Sequence, residues 1–508
     1  MTEDPIIRLH PNDNIAVARV KLRAGQRLGD AGLTTLEAIP AGHKVALAAI
    51  AKGEVVRKYD QVIGEATADI AAGAHVHVQN LDMAAGGRRH DIGAGARPTD
   101  FVPEADRATF EGFRRPGGRV GTRNFIGILT SVNCSATVAR MIAARFDDAE
   151  VRARTPNVDG VVALTHSTGC GMVSRGEGWD NLHRTLWGDA RHPNFAGVLM
   201  VGLGCEVNQI DFLLEAYGIE RGPHFRTMTI QGMGGTANTV AKGAAIVEEM
   251  LAEADKARRE TVPASALAVA LQCGGSDGYS GISANPALGA AVDLLVRHGG
   301  TAVLSETPEI YGAEHLLTSR AASREVGERL IERIAWWEDY VAMHGGSLNN
   351  NPSPGNKAGG LTTILEKSLG AAAKGGTTNL NAVYKYAEPI TERGFVFMDT
   401  PGYDPCSITG QIAGGCTLVC FTTGRGSVSG FKPAPCLKLA TNTAMYERMA
   451  EDMDIDCGPI VGGEKSVQQV GEEIFELMLA TASGQATKSE AQGFGDNEFV
   501  PWQIGAVL

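Results

Sequence analysis

The first part of the chain alternates apolar and polar residues in short segments that glycine and proline interrupt. These segments include NIAVARVKL, HKVALAAIA, KGEVVRKYDQVIGEA and AAGAHVHVQN. Period-two alternation bounded by turn residues is typical of half-buried strands. The pattern predicts a small all-β module over residues 1–83, followed by a linker rich in Gly, Pro and Arg over residues 84–108.

Beyond the linker, apolar runs alternate with amphipathic segments, which predicts multidomain α/β architecture with mainly parallel sheets and crossover helices. We predict a middle α/β domain over residues 109–260, with strands that begin at Phe125, Val158, Phe195 and Phe225. A second α/β unit over residues 261–508 contains the predicted strands SALAVALQ, GTAVLSE, RGFVFMDT and TLVCFTT. No repeat of 20 to 50 residues is visible, which excludes solenoids and propellers.

Length and charge narrow the class of protein. The 508 residues exceed the roughly 250 to 300 at which a single core stops growing, so several domains are expected. The 46 Lys and Arg against 58 Asp and Glu give a net charge of -12 without a basic block, so no nucleic acid is expected as a partner. No apolar run reaches the ~18 to 20 residues of a membrane span, and the first residues lack a signal-peptide pattern. We expect a cytoplasmic protein without a membrane contact.

The nine cysteines are odd in number and form no dense framework, which predicts free thiols or metal ligands. Four of them follow predicted strands: Cys134, Cys170, Cys205 and Cys273. Ligands gather beyond the carboxyl ends of strands in open α/β sheets, so these thiols are candidates for a site. Alternatively, they are small buried hydrophobes behind turns. The pattern leaves open the roles of Cys134, Cys406, Cys416, Cys420 and Cys436.

The residues around these thiols predict a metal site. The predicted ligands are a subset of His166, Cys170, Cys205 and Cys273. Thiolate and imidazole suit iron or zinc, whereas the carboxylates of Glu206 and Asp277 would suit manganese, magnesium or calcium. An iron–sulfur cluster on three cysteines, with one open iron, would explain the thiols equally well.

The β module adds three histidines to the candidates. His75 and His77 share one face of a predicted strand because side chains alternate along it, and His43 lies in a neighbouring segment. The pair could bind a metal or act in acid–base chemistry. The ordinary alternative for such a pair is a solvated strand face.

Three Gly-rich polar stretches of the C-terminal unit combine backbone donors with cations. They begin at Asn349, Asp399 and Phe421 and contain Lys357, Arg425 and Lys432. Arginine can hold a carboxylate through two parallel hydrogen bonds, which lysine cannot. The loops therefore suit a ligand with a carboxylate and hydroxyls, with ordinary loops as the alternative. None matches a Walker A or GxGxxG motif, so a nucleotide is not expected.

Several stretches of the chain closely resemble the altronate/galactarate dehydratase family. They are GTRNFIGILTSVNCSATVA, NVDGVVALTHSTGCGM, VGLGCEVNQ, LQCGGSDGYSGISANPALG, NPSPGNKAGGL and FTTGRGSVSG. The segments IPAGHKVAL and YDQVIGEA are similar to the β-clip domain called SAF, which precedes the catalytic part in this family. The resemblance implies a SAF domain, a middle domain used in dimerisation and a C-terminal Rossmann-like variant. A homodimer is therefore expected.

The resemblance also implies a lyase that uses Fe2+, or Mn2+, to dehydrate a sugar acid to a 2-keto-3-deoxy acid. The segment HVHVQN favours an altronate-type aldonate over galactarate. Removal of the C2 proton adds charge to the carboxylate, which a metal stabilises, while an acid protonates the departing C3 hydroxyl. We assign base and acid to His43 and Lys357. The predicted substrate-binding residues are Asn285, Ser353, Asn356 and Arg425.

Two other functions are compatible with these residues. One is a sulfo-lyase that eliminates sulfite from a sulfonated hydroxy acid of the sulfolactate type. The other is a protein that binds a sugar acid or a metal without turnover.

Overall fold

The N-terminal module is built of short strands. The computed structural model of the protein describes residues 4–29, 32–84 and 90–507. The module's strands are β1 (Ile6–Ile7), β2 (Ile15–Ala18), β3 (Arg27–Leu28), β4 (Leu33–Thr34), β5 (Lys44–Ala46), β6 (Val55–Lys58), β7 (Gln61–Ala66), β8 (His75–Val76) and β9 (Leu81–Asp82). They form antiparallel sheets in the orders β1-β2-β5-β8, β6-β7-β9 and β3-β4. The prediction of a small strand-rich module is confirmed.

The predicted linker includes residues 85–89, which lie outside the described residues. The rest of the linker runs along the C-terminal part of the chain. Gly93 N donates to the carbonyl oxygen of Thr318 at 3.0 Å, and Val102 N donates to that of Arg297 at 2.8 Å. The described part of the segment is therefore fixed to the C-terminal domain by backbone hydrogen bonds.

The middle domain is an open α/β layer structure. Its strands are β10 (Thr109–Arg114), β11 (Val120–Gly121), β12 (Phe125–Thr130), β13 (Gly160–Leu164), β14 (Phe195–Gly202), β15 (Phe225–Thr229) and β16 (Glu260–Pro263). Its helices are α1 (Ala136–Ala143), α2 (Ala149–Arg154), α3 (Glu177–Ala190), α4 (Ile210–Tyr217) and α5 (Thr236–Ala254). The parallel sheet has the order β13-β12-β14-β15, and β10 pairs with β11 and β16 in a separate antiparallel sheet.

Strand β12 shows why the sequence reads as a continuous apolar run here. Ile126 and Ile128 pack into the core on one face of the sheet, and Phe125 and Leu129 pack into the core on the other. A parallel strand covered on both faces cannot alternate apolar with polar residues. The same argument applies to the C-terminal sheet, which also has a core on each face.

The C-terminal domain is larger. Its strands are β17 (Ala268–Cys273), β18 (Thr301–Leu304), β19 (Leu380–Tyr384), β20 (Gly394–Met398), β21 (Leu418–Thr423), β22 (Cys436–Ala440) and β23 (Ile455–Asp456). Its helices are α6 (Ala284–Arg297), α7 (Glu314–Thr318), α8 (Arg324–Met343), α9 (Pro354–Ala358), α10 (Ile364–Ala373), α11 (Asp404–Gly414), α12 (Thr443–Arg448), α13 (Pro459–Gly462), α14 (Val467–Ala482) and α15 (Lys488–Ala491). The seven parallel strands follow the order β19-β20-β18-β17-β21-β22-β23, which confirms the predicted parallel α/β unit.

Each parallel sheet has a point at which the strand order reverses. In the middle domain this point lies between β12 and β14, and in the C-terminal domain it lies between β17 and β21. The crevice beyond the carboxyl ends of such strands is the usual ligand position in open α/β sheets. Among the described residues, no helix is both long and apolar enough to span a bilayer.

Candidate active site

Three histidines of the β module form a compact group, which we call the histidine triad (His43, His75 and His77). His43 directly precedes β5, His75 begins β8, and these two antiparallel strands pair with Val45 opposite His75. The ring centroids lie 5.1 Å apart for His43 and His75, and 4.7 Å apart for His43 and His77. One ring nitrogen of each histidine lies within 4.8 Å of the other two. Strand pairing thus brings together side chains that are distant in sequence.

The hydrogen bonds of the triad fix the tautomer of His43 and leave one ring nitrogen of His77 unbonded. His43 Nε2 lies 3.2 Å from the carbonyl oxygen of Ala358, which can only accept, so Nε2 carries the proton. His43 Nδ1 then presents a lone pair, 3.0 Å from His75 Nε2. The buried Nδ1 of His77 has no hydrogen-bond partner among the described residues. A backbone carbonyl that fixes the tautomer of a histidine is the usual environment of a metal-binding imidazole.

Burial keeps the triad neutral. It lowers the pKa of His43, and it lowers the pKa of His75 to about 4 and that of His77 to about 3. Neutral imidazole is the form that binds metals, and three such ligands leave coordination positions open for a substrate. The orphaned nitrogen and the donor set therefore fit a divalent ion such as iron, zinc or manganese.

A close backbone contact sets the β module against the crevice between β17 and β21. Within the C-terminal domain, Gly278 N donates to the carbonyl oxygen of Gly359 at 2.8 Å, which joins the loop after β17 to the end of α9. A Cβ atom on Gly360, whose φ is +105°, would lie 2.3 Å from the carbonyl oxygen of Gly42. Only glycine fits at this position, and the contact places His43 beside the end of α9.

A buried ion network supports the same interface. Glu366 of α10 accepts from Lys44 Nζ at 2.9 Å and from Lys58 Nζ at 3.0 Å. Lys44 Nζ also donates to the carbonyl oxygen of Gly360 at 2.6 Å. Burial opposes ionisation of Glu366, but the two ammonium groups outweigh it and lower the pKa of the carboxyl group. The module is therefore anchored by charges that have lost their contact with water.

Asp277 lies in the crevice, directly after β17. Its carboxylate accepts hydrogen bonds from Thr441 Oγ1 and Asn442 Nδ2, both at 3.1 Å. Burial raises its pKa, and these hydrogen bonds oppose the shift. A Cβ atom on Gly359 would lie 3.0 Å from Asp277 Cβ, so the carboxylate sits next to the loop that follows α9.

Two cations near the crevice are unpaired. Lys357 is half-buried on α9, one residue before Ala358, and Arg425 is exposed beyond β21. Neither side chain has a hydrogen bond or an ion pair among the described residues. Lys432 differs, because its Nζ binds Asp496 at 2.9 Å. His43 contacts the carbonyl oxygen of Ala358, the residue that follows Lys357.

Three of the predicted substrate-binding residues have side chains that are already hydrogen-bonded to other residues of the protein. Both ends of the Asn285 amide are bonded, since Nδ2 donates to Gly370 O at 2.9 Å and Oδ1 accepts from Thr422 Oγ1 at 2.6 Å. Asn356 Nδ2 donates to Ser276 O at 2.8 Å, and its Oδ1 accepts from Ser353. Ser353 in turn caps α9. These side chains shape the crevice, which leaves Arg425 as the one unpaired member of that predicted set.

The four predicted metal ligands do not form one group among the described residues. His166 Nε2 donates to Thr130 O at 2.8 Å, and its Nδ1 accepts from Thr168 N at 3.3 Å, so both nitrogens are occupied. Cys170 and Cys205 are exposed in the middle domain, whereas Cys273 is buried in the C-terminal sheet. The assignment of these residues to a single ion is therefore corrected, because they belong to two different sheets.

Cys273 instead belongs to a buried charged cluster (Cys273, Glu306, Glu309, Lys367, Lys374 and Asp404). Lys374 Nζ lies 2.9 Å from the sulfur, and Lys367 Nζ lies 2.5 Å from Glu309 Oε1. Burial raises the pKa of Cys273 to about 12, so the thiol is protonated. Burial and the nearby Glu309 raise the pKa of Asp404 to about 7.

Most residues of this cluster are not among the predicted site residues, although the sequence contains a signal for them. Glu306 and Glu309 follow β18 directly, and Lys367 and Lys374 interrupt the apolar face of α10 and its end. Charged residues at core positions are rare unless they are paired. Because α10 directs Glu366 to Lys44 of the β module and Lys367 to Glu309, one helix contacts both the β module and the cluster.

A β-rich module with three clustered imidazoles, packed on a parallel α/β unit whose loops carry unpaired cations, is the arrangement of a multidomain α/β enzyme for an anionic ligand. Family comparison is consistent with this class. Residues 4–84 match the altronate/galactarate dehydratase SAF domain, residues 112–255 the second domain of D-galactarate dehydratase/altronate hydrolase, and residues 264–507 the D-galactarate/altronate dehydratase C-terminal domain. The chain belongs to the altronate/galactarate dehydratase family and is a hydro-lyase that acts on sugar acids.

Individual relatives extend over nearly the whole chain. An altronate dehydratase of Bacillus subtilis (strain 168) is 35% identical over 514 residues, which cover 99% of each chain. A galactarate dehydratase (L-threo-forming) of Escherichia coli (strain K12) is 39% identical over 488 residues, 94% of this chain and 93% of the relative. The (2R)-sulfolactate sulfo-lyase subunit beta of Chromohalobacter salexigens is 33% identical over 403 residues, 77% of this chain and 96% of the relative.

Proposed function

We propose that the protein is a metal-dependent dehydratase that converts an altronate-type aldonate into a 2-keto-3-deoxy acid. The observation that carries the proposal is a triad of neutral imidazoles, one with an orphaned buried nitrogen, whose His43 contacts the end of α9 next to the unpaired Lys357. The metal that we propose is Fe2+, with Mn2+ as the alternative, held by His43, His75 and His77. A divalent ion bound there supplies Lewis-acid stabilisation of negative charge on the substrate carboxylate.

Arg425 is the residue that we assign to the substrate carboxylate. Its guanidinium is exposed and unpaired among the described residues, and its planar fork can donate two parallel hydrogen bonds. Because Arg425 follows β21 and Asp277 follows β17, a carboxylate bound here lies at the point where the strand order reverses.

The proton transfers require one acid and one base. We assign the acid to Lys357, whose unpaired ammonium can protonate the departing C3 hydroxyl. The base is reassigned from His43 to Asp277, since Nε2 of His43 is protonated toward Ala358 and its Nδ1 faces His75. Burial raises the pKa of Asp277, which makes its carboxylate a stronger base for the C2 proton.

The preference for altronate over galactarate is part of the proposal. Full-length coverage of two altronate dehydratases and the HVHVQN segment support an aldonate. Galactarate is the second candidate substrate, which the 39% identity to a galactarate dehydratase supports. A sulfolactate-type elimination is the third candidate, supported by the match to a sulfo-lyase beta subunit.

An anaerobic substrate panel tests the proposal. Protein loaded with Fe2+ is incubated with altronate, galactarate or (2R)-sulfolactate, and keto-acid formation and sulfite release are measured. We expect the highest kcat/KM with altronate, and loss of the activity after chelation. A highest value with galactarate or sulfolactate would replace the substrate assignment, and the absence of any product would leave a binding protein.

We also propose a cytoplasmic homodimer. All nine cysteines are free thiols, as is usual in a reducing compartment. The middle domain exposes the apolar side chains of Met141, Phe212 and Met233, with exposed fractions of 47%, 51% and 38%. Light scattering of the purified protein would report twice the chain mass if these surfaces associate.

A further inference from the structure

The crevice of the middle domain carries a second group of candidate ligands, which we call the thiol rim (Cys134, Cys170 and Cys205). These are the exposed cysteines of the chain, whereas the remaining six are buried. Free cysteine is among the most buried residue types, so three exposed thiols need an explanation other than packing. They follow β12, β13 and β14, which are adjacent strands of one sheet.

Backbone contacts hold the three loops of the rim together. Asn133 N donates to Thr168 O at 2.9 Å, which joins the loop of Cys134 to the loop of Cys170. Asn208 N donates to Gly169 O at 3.0 Å, which joins the loop of Cys170 to that of Cys205. Neighbouring parallel strands are about 4.8 Å apart, so these loops surround a small area at the edge of the sheet.

Glycines before two of the thiols turn the chain so that the sulfur faces solvent. Gly169 and Gly204 have φ values of +99° and +124°. A Cβ atom on Gly169 would lie 2.3 Å from Ser131 O, and one on Gly204 would lie 2.6 Å from Gln231 Oε1. Any other residue would displace the two loops, so the positions of Cys170 and Cys205 are built into the backbone.

Near the thiol rim, the sulfur atoms are the groups that are available to bind a ligand. Gln231 Nε2 donates a hydrogen bond to Cys205 Sγ at 3.3 Å. The polar groups beneath the rim are already bonded: His166 through both ring nitrogens, and Glu206 through Ser131 Oγ, Leu203 N and Gly204 N. Neither His166 nor Glu206 is therefore free to serve as a fourth ligand beside the three thiols.

This arrangement discriminates between thiolate-binding metals. A structural zinc ion almost always takes four protein ligands, and the thiols of the rim are not among the groups whose ligand atoms lie within 4.8 Å of one another. A cluster of several iron atoms spans a wider gap than a single ion, and amide donors to sulfur are a common feature of such sites. We propose that Cys134, Cys170 and Cys205 hold an iron–sulfur cluster whose remaining iron has no protein ligand.

The proposal is independent of the histidine triad, so the two can be tested separately. Full-length protein purified or reconstituted under anaerobic conditions with iron and sulfide is assayed for iron, acid-labile sulfide, visible absorption and paramagnetic resonance after reduction. We expect iron and sulfide in similar amounts, several atoms of each per chain, with broad visible absorption. Zinc without sulfide, or no metal beyond one ion per chain, would overturn the proposal.

Variants locate the cluster. Cys170→Ala and Cys205→Ala are each expected to lose the sulfide and the visible absorption, while far-ultraviolet circular dichroism confirms that they fold. The matched control is Cys457→Ala, at a buried cysteine of the C-terminal domain, which is expected to keep both signals. In His75→Ala the sulfide is expected to remain. Full sulfide content in both rim variants would contradict the assignment, whatever the dehydratase activity.

Discussion

The two parallel sheets present the same kind of crevice but different chemistry. In the middle domain the switch point between β12 and β14 is open, and its thiols are exposed. In the C-terminal domain the β module covers the switch point between β17 and β21, and Asp277 beside it is only 5% exposed. The comparison teaches that the covered crevice keeps its carboxylate from water, whereas the open crevice leaves its thiols accessible.

The largest effect is expected from removal of the unpaired ammonium in the covered crevice. Lys357→Met should lower kcat by about 10²- to 10⁴-fold, the usual range for loss of a general acid. Lys256→Met is the control, because Lys256 is exposed and pairs with Glu253 on the surface of the middle domain. Steady-state kinetics measure both, and a Lys357→Met enzyme with unchanged kcat would remove this lysine from the mechanism.

The packing of the β module over the crevice is tested through the buried ion pairs between them. Replacing Glu366 by Ala leaves Lys44 and Lys58 buried without their carboxylate counter-charge, which should lower the free energy of unfolding by about 3–5 kcal/mol. Glu473→Ala removes a partly exposed ion pair with Lys465 and should cost about 0–1 kcal/mol. Urea titration compares the two, and equal costs would mean that the interface between module and crevice is not a buried contact.

A smaller effect is expected from the glycine contact that holds the β module against the crevice. Gly360→Ala adds a Cβ atom 2.3 Å from Gly42 O, so the module must shift, at a cost of about 1–3 kcal/mol and with a higher KM. Gly463→Ala has a similar positive φ of +76° but meets no atom within 4 Å. Gly463→Ala should therefore lower the free energy of unfolding through backbone strain alone, without a change in KM. A KM that is unaltered in Gly360→Ala would argue against the close seating.

The smallest effect concerns pH. The pKa values of His75 and His77 are lowered from 6.5 to about 4 and about 3, so the unfolded state binds more protons than the folded state below pH 6.5. In metal-free protein, stability should thus fall as the pH drops from about 6.5 toward 4. Denaturation midpoints at several pH values should show a shallower decline in His75→Gln. An identical decline would indicate that other groups dominate.

The layers of the fold were predictable from sequence because strand and helix periods differ and the apolar runs mark buried parallel strands. The thiols were correctly predicted to follow strands, but the chain contains two sheets and thus two edges. The predicted domain division already placed Cys170 and Cys273 in different units, but strand-end position alone could not show whether the edges of the two sheets meet.

Contacts between side chains that are distant in sequence were the second feature that could not be predicted. Asn285 is a predicted substrate-binding residue, but its amide is hydrogen-bonded to Gly370 and Thr422. Both partners are far from Asn285 in sequence. Likewise, no local pattern identifies Glu366 as the partner of Lys44 and Lys58, over 300 positions away. Such contacts depend on how the module seats on the sheet, which periodicity does not describe.

The most direct test of the central claim is the metal content of the histidine triad. Wild-type protein and the double variant His75→Ala/His77→Ala are freed of metal and dialysed anaerobically against one equivalent of Fe2+, and bound iron and dehydration of altronate are measured. The account predicts turnover and a triad-bound iron ion in the wild type, and loss of turnover and of that one ion in a double variant that still folds. Iron binding and normal turnover in the double variant would contradict it.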